Sequence, residues 1–118
     1  MGKGTILLVD DDTVSSQILS FILTDEGYVV ELAETGGLGV EKVSTKKFDV
    51  VLLDYFLPDM RGHDVSVMMK KISPDTKIVL LTGNSSSDDE KIDKEYNRVL
   101  LKPVSPELII KTISEILG

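Results

Sequence analysis

Short apolar runs alternate with amphipathic stretches along the chain. Ile6–Val9 (ILLV) is continuously apolar, as strands covered on both faces of a parallel sheet are. Val14, Ile18, Leu19, Ile22 and Leu23 then recur at helical spacing, and Gly27 stops that helix. Tyr28–Ala33 (YVVELA) predicts a second strand with partial alternation. Gly36, Gly37 and Gly39 weaken the next segment, where Leu38, Val40 and Val43 still predict a short helix. Val50–Asp54 (VVLLD) lacks any polar face and predicts a third, central strand.

Leu57–Gly62 (LPDMRG) is a loop by its proline and glycine. Val65, Met68, Met69 and Ile72 predict a third helix, closed by Ser73-Pro74. Lys77–Gly83 and Val99–Pro103 are the fourth and fifth strands. Between them, Asn84–Asn97 has only Ile92 and Tyr96 as apolar residues. A short fourth helix with a thin apolar face is expected there, with Asp88, Asp89 and Glu90 in its first turn. Ser105 caps a final helix with Pro106 at its first position, turning Leu108, Ile109, Ile113, Ile116 and Leu117 inward. Five strands alternating with helices require crossover connections, hence an α/β fold with a parallel sheet covered on both faces.

The 118 residues fit one domain spanning residues 1–118. No cysteine is present, which excludes disulfides, thiolate catalysis and zinc–sulfur sites. No apolar run approaches a membrane span, and the start (MGKGTILLV) lacks a secretory leader's apolar core, so a cytoplasmic protein is expected. A net charge of −7 disfavours direct binding to nucleic-acid phosphates.

Ligands of such sheets sit at the carboxyl ends of the strands, near the switch in strand order. Strand one ends in Asp10, Asp11 and Asp12, strand three in Asp54, strand four in Thr82 and strand five in Lys102-Pro103. Taken singly, each has a plain structural explanation. Asp12 is well placed as a helix N-cap, an aspartate after a strand forms turns, and Lys-Pro makes a loop. Jointly they are not explained that way, because carboxylates about 4–5 Å apart repel by roughly 3–4 kcal/mol near a protein surface. A cation resolves the conflict. Oxygen donors without His or Cys suit Mg²⁺, or Mn²⁺, with Asp10, Asp11 and Asp54 as carboxylates. A carboxylate can accept a phosphoryl group, whose oxygens the metal, Lys102 and Thr82 would then neutralise. Asp54, ending the central strand, is the nucleophile; Asp10 and Asp11 make the metal pair.

These stretches, LLVDDD, VVLLDYFLPDMRG, VLLTG and LLKPVSPELI, resemble in order and spacing the receiver domain of two-component response regulators, of the chemotaxis-receiver type. The resemblance implies a flavodoxin-like, doubly wound (βα)5 three-layer sandwich with strand order 2-1-3-4-5. It implies phosphoryl transfer to Asp54 from a sensor histidine kinase or histidine phosphotransfer protein. It further implies that the Phe56 carbonyl joins Asp11 and Asp54 on Mg²⁺, with Asp10 acting mostly through water. Thr82 is then the switching hydroxyl, Lys102 the phosphate clamp and Lys102-Pro103 a cis peptide; Phe56 and Asn84 flank the phosphoryl group. The chain is expected to be a monomer or weak dimer, no turnover enzyme on external substrates, and either a stand-alone receiver or the front end of a longer protein.

There are departures from the family pattern. Val99 stands where receivers often carry Tyr or Phe, Arg61 where Asp is common, and the segment between Thr82 and Lys102 is polar and slightly short. A ring flip at Val99 is impossible, so output is expected through the loop after Thr82 and the polar helix. A phosphorylation-independent docking module is the alternative function. An aspartyl phosphatase fits poorly, since Phe56 replaces the second acid such enzymes carry two residues after the nucleophile. His63 is expected on the surface, Met68 and Met69 in packing, and Gly36, Gly37 and Gly39 form no phosphate cradle because they lack a lysine.

Overall fold

The computed structural model describes residues 3–83 and 96–118. In chain order it contains β1 (Thr5–Val9), α1 (Thr13–Asp25), β2 (Val29–Ala33), α2 (Gly36–Thr45), β3 (Val50–Asp54), α3 (Gly62–Ile72), β4 (Lys77–Thr82), β5 (Arg98–Leu101) and α4 (Pro106–Leu117). The five strands are parallel and lie in the order β2-β1-β3-β4-β5, as the resemblance implies. The chain reverses direction across the sheet between β1 and β3, which places the switch point beside the ends of these two strands.

The two-residue period of a strand splits the apolar residues into two half-cores. Leu7, Val9, Val51, Leu53, Ile78 and Leu80 face one layer, where Phe48 and the helix residues Val43, Val65 and Met69 cover them. Ile6, Leu8, Val50, Leu52, Val79 and Leu81 face the other, against Leu23, Ile109 and Ile113. All five residues of β3 are buried, so the strand expected at the centre is central.

Helix ends follow local chemistry. The Asp12 carboxylate accepts the Ser15 N–H (3.2 Å) and caps α1. Gly27, at φ 108°, supplies the left-handed residue just beyond that helix. Ser105 accepts the Leu108 N–H (3.2 Å) at the start of α4, with Pro106 in its first position. The Lys102-Pro103 peptide is cis.

The structure corrects several expectations. Val14 (67 % exposed) and Ile18 (58 %) face solvent, because the buried arc of α1 runs through Ser16 and Leu23. With Phe21 (77 %) they form a stripe at i, i+4 and i+7 on the outer face; two apolar stripes share this helix, and spacing alone does not say which one packs. Leu108, Ile72 and Met68 are likewise largely exposed, whereas Met69 is fully buried. The second strand begins at Val29, the fourth ends at Thr82 and the fifth spans Arg98–Leu101. His63 is half-buried, its ring 6.4 Å from that of Tyr96. The helix expected within Asn84–Asn97 lies outside the described residues except at its end. There Tyr96 is buried, and Asn97 clamps β4 with its N–H on the Ile78 carbonyl (2.8 Å) and its side-chain oxygen on the Ile78 N–H (2.9 Å).

Packing density sets the energetic scale. Leu80→Ala is expected to lower the unfolding free energy by about 2–5 kcal/mol, whereas Phe21→Ser on the outer stripe should stay within about 0.5 kcal/mol. Urea midpoints at unchanged denaturant slope check both.

Candidate functional site

Strand register brings the site residues together. Val9 pairs with Leu53, so Asp10 leaves β1 beside Asp54, the last residue of β3. Asp54 pairs with Leu81, and Thr82 with Leu101, so Lys102 emerges one residue past that rung. Backbone bonds carry the alignment onward: Asp10 N–H reaches the Ala33 carbonyl (3.0 Å), Tyr55 N–H that of Leu81 (3.0 Å), and Lys102 N–H that of Thr82 (2.8 Å).

One carboxylate oxygen from each of Asp10, Asp11 and Asp54 lies within 4.8 Å of the others. Asp54 is 6 % exposed, Asp10 half-buried and Asp11 exposed. The Lys102 ammonium sits 3.0 Å from Asp54 Oδ1, an ion pair closed over on the carboxylate side and open on the lysine side. One ammonium faces three carboxylates, so the cluster keeps an excess of negative charge. Burial raises the Asp10 carboxyl above its ordinary value, and the neighbouring Asp54 and Asp11 charges push the same way. The Asp12 N–H, which donates to Asp10 Oδ1 (3.0 Å), and the Lys102 ammonium oppose the shift.

Thr82 is buried at the end of β4, one residue past the Leu81 that pairs with Asp54. Phe56 lies two residues past Asp54, bridged to Arg61 in a short antiparallel pairing; its ring is exposed and stands edge-on to Tyr55 at 4.9 Å. Asn84 lies outside the described residues. Beside the acids opens a groove of about 550 Å³ between α1 and α4, walled by Ile18, Leu19, Ile22, Val104 and Ile109, with Asp10 and Lys102 at its head.

Sequence reasoning saw Asp59 only as part of a loop. Its carboxylate accepts the N–H groups of both Gly36 and Gly37, each at 2.8 Å, and these amides hold the Asp59 carboxyl below its ordinary value. The available signal was the first turn of α2, which has two glycines and no acidic residue. That turn wanted an anion, and the sequence did not say from where.

A family model described as "Response regulator receiver domain" matches residues 6–114. The chain belongs to the response regulator receiver family. The transcriptional regulatory protein GlrR of Escherichia coli K12 is 31 % identical over 114 residues, covering 95 % of this chain and 26 % of that protein. YkoG of Bacillus subtilis, an uncharacterised transcriptional regulatory protein, is 31 % identical over 96 % of this chain and 50 % of its own length. The chain thus spans a quarter to a half of these curated relatives. Among solved structures, a CheY-like receiver domain from Methanospirillum hungatei superposes with a TM-score of 0.91 at 35 % identity, covering 96 % of this chain and 92 % of that one. TrrA of Thermotoga maritima, solved in complex with Mg²⁺ and BeF, superposes at 0.86 with 27 % identity over 95 % and 97 % of the two chains. Within this receiver, Val99 is half-buried against the half-core that contains Tyr96 and Val65.

The electrostatics of Asp10 carry a sign. A carboxyl raised on folding costs stability while it is ionised; the cost is complete above the folded pKa and gone below the unfolded one. Without divalent cations at neutral pH, Asp10→Asn keeps the acceptor for the Asp12 N–H and removes the charge, so its urea midpoint should exceed that of the wild type. The two midpoints should converge as pH falls through the acidic range.

Proposed function

We propose that this receiver domain is a phosphoacceptor switch in which Asp54 takes a phosphoryl group from a phosphohistidine on a sensor histidine kinase or phosphotransfer protein. The observation that carries the proposal is the convergence of Asp10, Asp11 and Asp54 within 4.8 Å, with Lys102 3.0 Å from Asp54. An Asp54 carboxylate oxygen attacks phosphorus, the P–N bond breaks, and the histidine nitrogen leaves with the electron pair and takes up a proton. Lys102 is placed to neutralise charge on the transferred group. The Thr82 hydroxyl would follow that group and relay its presence to the adjoining loop.

The residues fit Mg²⁺: the donors are all oxygens, no His or Cys intrudes, and the half-buried Asp10 carboxyl, raised by burial and its neighbours, marks a site with surplus negative charge. Asp11, Asp54 and the Phe56 carbonyl would hold the ion, with Asp10 acting mostly through water. When bound, Mg²⁺ supplies the positive charge that phosphoryl oxygens require during transfer. The domain would alter protein–protein contacts and turn over no external substrate. A cytoplasmic location completes the reading; no helix among the described residues is long and apolar enough to cross a membrane.

Incubation with Mg²⁺ and acetyl phosphate should add one phosphoryl group per chain, read as intact mass. Asp54→Asn should abolish it, and Lys102→Ala should slow it by about 10²-fold, the scale for losing one charge-stabilising donor. Incorporation that persists in Asp54→Asn, or none in the wild type, overturns the proposal. Equal partner affinity with and without phosphodonor would instead support the docking module.

A further inference from the structure

The loop from Tyr55 to Gly62 is tied at both its base and its tip. At the base, Gly62 N–H donates to the Tyr55 carbonyl (2.7 Å), and Phe56 pairs with Arg61. A side chain at Gly62 is excluded there, because a Cβ would lie 2.9 Å from the Asp54 carbonyl oxygen. At the tip, Asp59 Oδ1 and Oδ2 accept the Gly36 and Gly37 amides, the first two N–H groups of α2. Thr35 Oγ1 takes the third, from Leu38 (3.0 Å). The contact is close: a Cβ on Gly36 would fall 2.5 Å from Met60 Cγ. Two charge-assisted bonds to a rigid helix end therefore hold the far side of the segment that carries Phe56.

We infer that Asp59 is a positioning residue for the cation site: it anchors the loop to α2 and so fixes the backbone carbonyl of Phe56. The inference rests on the proposal that this carbonyl is a ligand of Mg²⁺. Groups that orient metal ligands from behind are worth about 10–100-fold in metal affinity. Asp59 is not among the three carboxylates that converge at the cluster. It acts only through the backbone between residues 56 and 59.

The discriminating comparison uses two caps of the same helix. Asp59→Ala removes the tether to the loop; Thr35→Ala removes a cap bond of α2 that does not involve the loop. Both should destabilise the fold in urea. Only Asp59→Ala should weaken Mg²⁺ binding, by about 10-fold or more in titration calorimetry, and Asp59→Asn, which keeps one acceptor oxygen, should fall between it and the wild type. Wild-type Mg²⁺ affinity in both Asp59 variants overturns the inference while leaving the phosphoacceptor proposal intact. An equal loss in Thr35→Ala also overturns it, since the effect would then be general softening of α2. No Mg²⁺ binding by the wild type removes both.

Discussion

Like charges crowded at the end of a buried sheet are the constraint around which this domain is organised. β1 and β3 are adjacent and parallel, and their register leaves no choice but to set Asp10 beside Asp54. Water would screen the two charges, yet Asp54 is nearly inaccessible and Asp10 half-covered. Lys102 meets one of the negative charges, and the Asp12 amide leans on another. The remainder is tolerated because two half-cores of Val, Leu and Ile stabilise the strands that carry it. Stability is spent here on readiness to receive a positive partner.

The same division of labour recurs around the site. Side chains that meet the acids come from strand ends, which the ladder holds rigidly, whereas the loop between β3 and α3 depends on bonds it makes elsewhere. Asp59 and Gly36 form a matched set, the one supplying two acceptor oxygens and the other the space for the loop to approach. A glycine pair at a helix start is poor helix chemistry taken alone. It becomes sensible once the carboxylate arriving from the loop is considered. Val99 shows the reverse case, a site where the family often has a ring and where this chain packs a small β-branched residue into the half-core.

Much of this was legible in the chain itself. Apolar runs, continuous in most strands and partly alternating in the second, marked the five strands, and the acids at their ends marked the cluster that the fold gathers, because strand period and parallel topology are strong constraints on few residues. The N-caps Asp12 and Ser105 were visible for the same local reason. Helix faces were harder. In α1 the apolar residues populate two arcs, and only the packing of Ser16 toward the sheet decides between them. Boundaries of β2, β4 and β5 moved by one or two residues, since hydrogen bonding and not hydropathy ends a strand. Asp59 escaped because its partners lie on a different element, and no local pattern encodes a tertiary bond. His63 looked like a surface residue until the fold placed Tyr96 beside it.

The arrangement of strands also says when the site comes into being. Of the strands, β1 comes first in the chain yet pairs on one side with β3, and β3 in turn with β4, with β5 at the edge. Asp10, Asp54 and Lys102 therefore share a neighbourhood only once β1, β3, β4 and β5 have joined one sheet. No fragment of the domain possesses the pocket, so any ion or phosphoryl mimic that occupies it must favour the finished fold over every partial one by mass action. The acids that strain the native state would, if filled, become a latch on its completion.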